Sequence, residues 1–208
     1  MYEIDIVNSQ QALPVDETEL AAALETALRA EGVGSAVLSV SIVDNAAIHV
    51  INRDHLQHDY PTDVISFQLD FYPDKEDGSQ GGRRGFGASI EGEIVASAEM
   101  AVEMAADAGW EPITELKLYL IHGMLHICGY DDLTPDEQCL MRDRERAIMG
   151  ELGYTPVYAE DRPDDCPATI SPMNSGNMTA NDSVEPEEPP SSNLGSGSSS
   201  VRSRRTIG

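Results

Sequence analysis

Apolar and polar positions along the first three-quarters of the chain fall into stretches of two periods. Residues 2–7 (YEIDIV) and 36–43 (AVLSVSIV) alternate every second residue and predict strands. DVISFQL (63–69) and EGEIVAS (91–97) predict two more. Between the first pair, the run from Glu17 to Gly32 has helical spacing, with Asp16 placed to cap it and Gly32 or Gly34 to stop it. Asp44 or Asn45 opens a second helix, AAIHVINRDHL, with Ile48, Ile51 and Leu56 as its apolar positions, and Pro61 closes it. Ala98–Ala108 predicts a helix ended by Gly109. From Pro112 to about Cys128 the chain is apolar on nearly every side, which marks a central, buried helix. Thr134–Gly150 opens with TPDE, a capping-box pattern, and predicts the last helix. Strands and helices mix without strict alternation. The expected fold is α+β, a single domain with a mixed sheet packed against helices, one of them central.

The pattern stops near Tyr158. Residues 159–208 hold 10 Ser, 6 Pro and 4 Gly and no aromatic residue, too little apolar surface to offset ordering entropy. The expected division is a folded domain over 1–158 and a structureless tail over 159–208. A second irregular stretch, 70–89, predicts a long loop.

Charge changes what the domain is expected to bind. Of 208 residues, 37 are Asp or Glu and 13 Lys or Arg, a net charge of −24. The tail carries 8 acidic and 4 basic residues, so the domain holds −20. A broad basic face for gripping nucleic acid is excluded, and the balance argues against docking on an anionic membrane surface. No stretch approaches the ~18 apolar residues of a spanning helix, and the N-terminus lacks a signal-peptide pattern. Three cysteines, an odd number, argue against a disulfide framework and for a reducing, cytoplasmic setting.

Chemistry concentrates in HGMLHICGYDD at 122–132. His122 and His126, at i and i+4, project from one helix face and can share a first-row metal ion. Gly129 is placed to reverse the chain in a left-handed conformation, bringing Asp131 or Asp132 back toward that metal. Two imidazoles and one carboxylate leave a coordination position open, as in catalytic zinc sites. The spacing also matches the extended zinc-peptidase pattern, but there a Glu follows the first His as general base. Here Gly123 follows it, which ranks a metallopeptidase-like hydrolase second.

The same segment resembles the HGxLHxxGYDH signature of the YbeY endoribonucleases. VINRDHLQHDYPTDVISF (50–67) is similar to that family's LN-to-PTDVLSF block, and EGEIVASAE (91–99) to its GDI strand. The resemblance covers about residues 1–155. It implies a zinc-dependent, single-strand-specific endoribonuclease acting in 16S ribosomal RNA maturation and ribosome quality control. The implied partners are precursor 16S RNA and the small ribosomal subunit or a protein associated with it. The implied zinc ligands are His122, His126 and Asp132, the last a carboxylate where the family has a third histidine. The family's usual phosphate-binding Arg aligns with Leu56. Arg53, one turn earlier, is the expected substitute, with Arg83 and Arg84 as further candidates. Asp131 is expected to orient a ligand histidine or position water. The remaining alternative is a non-catalytic, metal-stabilised module that binds a ribosomal partner through its acidic surface.

Overall fold

The computed structural model describes residues 1–73, 83–156, 158 and 200–203. Its strands are β1 (Tyr2–Asn8), β2 (Ser35–Val43), β3 (Val64–Tyr72), β4 (Ser89–Ser97) and β5 (Ser200–Ser203). The helices are α1 (Glu17–Glu31), α2 (Asn45–Leu56), α3 (Ala98–Ala108), α4 (Pro112–Ile127) and α5 (Pro135–Glu151). Strand order is β1-β2-β4-β3-β5. β1, β2 and β4 run parallel, β3 pairs antiparallel with β4, and β5 pairs antiparallel with β3 at the edge. The expected α+β fold with a mixed sheet is the one observed.

Local signals set most boundaries. Asp16 accepts from the amides of Thr18 and Glu19, and Gly32 ends α1 at φ 79°. Asp44 is the cap of α2, accepting from the Ala47 amide. Thr134 caps α5 through the Glu137 amide. The predicted loop is shorter than its composition suggests, because β3 continues to Tyr72 past a register shift between Gln68 and Asp70. That irregularity breaks the alternation by which the strand would be read. The remainder of the loop, 74–82, lies outside the described residues, as does most of the tail. Four tail residues are described, as the edge strand β5.

Neighbouring positions on one strand serve opposite faces of the sheet. Val64 and Ile94 belong to the main core with Leu20, Leu24 and Leu28 of α1 and the length of α4. Ile65 and Val95 face the other way, into a small cluster with Val43 and Ile48 under α2. Leu56 packs on that small cluster.

α4 lies unusually close to the sheet. A Cβ added at Gly92 of β4 would sit 2.6 Å from Ile127 Cδ1 and 2.8 Å from the Phe67 carbonyl oxygen. At Gly123 it would lie 3.1 Å from Ile94 Cγ2 and 3.3 Å from Val64 Cγ2. Gln68 of β3 donates from Nε2 to the Ile127 carbonyl at 2.7 Å, satisfying one of the acceptors exposed where α4 ends. Cys128 is a free, buried thiol.

Because the contact at Gly92 involves a backbone oxygen, it has little room to relax. Gly92→Ala is expected to lower stability by about 1–3 kcal/mol, the usual cost of overpacking. Urea unfolding of the variant beside the parent measures it, and an unchanged midpoint would refute the close docking of α4.

Candidate metal centre

α4 is apolar apart from a few positions, and His122 and His126 are buried in it at 3% and 4% exposure. Their Nε2 atoms face each other 3.0 Å apart, with the rings at 88°. Each ring is held from behind. His126 Nδ1 lies 3.0 Å from the Tyr130 carbonyl oxygen, and His122 Nδ1 lies 2.5 Å from Glu145 Oε1. The Tyr130 carbonyl only accepts, so His126 Nδ1 is the donor of that bond; an ionised Glu145 carboxylate would hold the His122 proton on Nδ1 in the same way, leaving both Nε2 atoms with a lone pair.

Gly129 performs the expected reversal. It sits at φ 91°, its amide bonds to the His126 carbonyl, and the Tyr130 amide reaches back to the Leu125 carbonyl. Two residues on, Asp131 Oδ1 accepts from the amides of Asp132 and Leu133 at 2.8 and 3.3 Å, tightening the turn. Asp132 is thereby brought back to the histidines. Its Oδ2 lies 3.8 Å from His122 Nε2 and its Oδ1 4.0 Å from His126 Nε2. The donor atoms of His122, His126 and Asp132 all fall within 4.8 Å of one another. The donor set fits a first-row cation: two buried imidazoles and one carboxylate converge on one point.

The remaining candidates divide. Arg84 donates to the Gly129 carbonyl at 2.8 Å and pairs with Glu137, so it braces the turn. Arg83 donates to the Ala30 carbonyl. Arg53 is half exposed on α2, with Nε 3.0 Å from Asp54 Oδ1. Tyr130 donates its hydroxyl to Glu31 Oε1 at 2.7 Å. Burial first, and the Glu31 carboxylate next, push that phenol far above its ordinary range, which leaves it a neutral structural donor. Cys128 is absent from the ligand cluster. Two residues at the centre escape sequence reading, Glu145 and Tyr158. The available signal was a charge on the apolar stripe of α5, since Glu145 shares its face with Met141, Ile148 and Met149.

A profile of the family described as Endoribonuclease YbeY matches residues 5–153. The chain belongs to the YbeY family. A protein of Rhodopirellula baltica named Endoribonuclease YbeY is 43% identical over 151 residues, covering 72% of this chain and 71% of that one. One of the same name from Carboxydothermus hydrogenoformans is 36% identical over 152 residues, 72% of this chain and 96% of that one. A Thermotoga maritima protein known from a solution structure overlays with a TM-score of 0.44 at 20% identity, over 74% of this chain and 92% of that one.

Two measurements test the centre. Zinc at a hundredfold excess over its Kd is expected to stabilise the parent by about 2.7 kcal/mol, read as a rise in Tm that His122→Ala abolishes. Gly129→Ala is expected to cost roughly 1–2 kcal/mol through its left-handed backbone and to shrink the zinc-induced rise by displacing Asp132. A full rise in either variant would refute the assigned ligand set.

Proposed function

We propose that this chain is a zinc-dependent endoribonuclease that cuts single-stranded RNA in the cytoplasm, with precursor 16S ribosomal RNA as its substrate. The observation that carries the reading is the convergence of His122, His126 and Asp132 in a chain of this family. Zinc held by these three residues supplies Lewis-acid charge beside a phosphodiester. The protein residues position and neutralise. Asp131 fixes the turn that presents Asp132. Arg53 is the cation assigned to the phosphate, since phosphoryl transfer needs positive charge where the equatorial oxygens become more negative.

Of the ligands, Asp132 has a side chain 17% exposed against 3% for either histidine. Substrate therefore approaches from the Asp132 side. The strongly acidic domain repels free RNA at long range, which favours a ribosomal partner, the small subunit or a protein on it, that delivers the strand. Among the described residues no helix is long and apolar enough to cross a membrane. A peptidase reading fares worse because Gly123 faces Ile94 and Val64, where a carboxylate in the first histidine's wake would have to enter the sheet contact.

The decisive experiment incubates the zinc-loaded protein with single-stranded RNA, duplex RNA and single-stranded DNA, with and without chelator. Cleavage of the first alone, lost on chelation and in His126→Ala, is expected. Zinc binding without cleavage, on isolated RNA or on small-subunit particles, would favour the non-catalytic module instead. Arg53→Ala is expected to slow cleavage by about 10²–10³-fold, the loss typical of one charge contact in the transition state, at unchanged zinc content. Parent-like rates would remove Arg53 from the site.

A further inference from the structure

The two ligand histidines are braced by different means. His126 leans on a backbone carbonyl of its own turn. His122 leans on the carboxylate of Glu145, 23 residues away on α5. Glu145 is 1% exposed, and its second oxygen, Oε2, accepts from the hydroxyl of Tyr158. Tyr158 is itself buried, and the guanidinium carbons of Arg142 and Arg146 lie 5.1 and 5.0 Å from its ring centroid. Both oxygens of one buried carboxylate are thus engaged, one by the ligand ring and one by the last described residue of the domain.

A carboxylate is a costly choice at that position. Removing it from water costs several kcal/mol unless hydrogen bonds compensate. Its neighbours on the same face of α5, Met141, Ile148 and Met149, are ordinary core residues, so an apolar side chain would suit the packing. What the carboxylate adds is directed at His122. It can only accept, so it holds the ring's proton on Nδ1 and turns the Nε2 lone pair toward His126 and Asp132. Its charge also makes the imidazole a stronger donor.

We propose that Glu145, held by the Tyr158 hydroxyl, is the positioning residue of the metal centre, setting the tautomer and basicity of His122 and thereby the affinity for zinc. The proposal rests on the metal-centre reading above. It places Tyr158, the last described residue before Ser200, in the site's machinery.

The test uses the full chain and zinc alone. Zinc affinity is measured by competition with a chromophoric chelator for the parent, Glu145→Gln, Tyr158→Phe and, as a control, Glu151→Gln on the exposed end of α5. Imidazole ¹⁵N spectra of the metal-free proteins report which nitrogen of His122 carries the proton, a readout that loss of packing alone does not move. Glu145→Gln is expected to weaken zinc binding by about 10–100-fold, the usual effect of losing such a partner, and to release His122 into a mixture of tautomers. Tyr158→Phe is expected to weaken binding in the same direction by less, and Glu151→Gln to leave it unchanged. Parent affinity in both Glu145→Gln and Tyr158→Phe would overturn the proposal, as would a His122 proton on Nε2 in the parent. Should Glu145→Gln fail to fold, Tyr158→Phe decides alone, with parent affinity and an unshifted His122 spectrum overturning it. A parent that binds no zinc would sink the metal-centre reading instead, and the tautomer would still judge the role of Glu145.

Discussion

Two lone pairs facing each other across 3.0 Å in a dry helix repel, and the structure surrounding them is built to keep them there. Each ring is prevented from rotating away because its far nitrogen is already bonded. A cation between or beside them would relieve that repulsion. The demand for that charge organises the rest of the centre. α4 must be rigid, hence buried on all sides and drawn onto the sheet over Gly92 and Gly123. The chain must return an anion to the open side, hence the reversal at Gly129 and the Asp131 turn.

Where the protein places its cations follows from the same economy of charge. With only 13 Lys and Arg against 37 Asp and Glu, several of the few cations serve the fold. Arg144 pairs with the wholly buried Glu31, which also accepts from Tyr130 and from the Gly85 amide. Arg84 braces the Gly129 turn and pairs with Glu137, and Lys117 pairs with Glu19. The Arg84 and Arg144 pairs tie the 83–87 segment and α5 to the turn that carries Asp132, and the Lys117 pair joins α4 to α1. The anionic substrate of the proposed reaction then depends on charge concentrated at the metal and at Arg53, and little on the rest of the protein surface.

How far the sequence reveals this depends on whether the signal is local. Helix caps are local chemistry, so Asp16, Asp44 and Thr134 can be read from residue type and spacing alone. The ligand triad is legible for the same reason, since a helical i, i+4 pair and a glycine-terminated turn place three donors within eleven residues. The extent of β3 is not, because the shift at Gln68 and Asp70 disrupts alternation where an edge-ward strand continues. Leu56 reads as a missing cation, whereas its packing against the cluster under α2 depends on two strands and a helix meeting. Glu145 is the most instructive omission. Its contact with His122 spans 23 residues, and in a helix rich in Asp, Glu and Arg one more acidic residue passes as solvent-facing unless its face is checked.

Asp132 lies between the end of one helix and the cap of the next, and this location has an energetic consequence. α4 contributes two ligands and the turn contributes the third. The next helix starts at the Thr134 cap, two residues later, and returns Glu145 to the back of the first ligand. A cation bound by the triad therefore closes a clasp of helix, turn and helix, whose halves are otherwise joined by the Arg84 brace and side-chain packing. Binding energy at such a site is also folding energy for the segment 122–145. The carboxylate of Asp132 brings negative charge to the one member of the cluster that meets solvent, charge that a bound cation would neutralise.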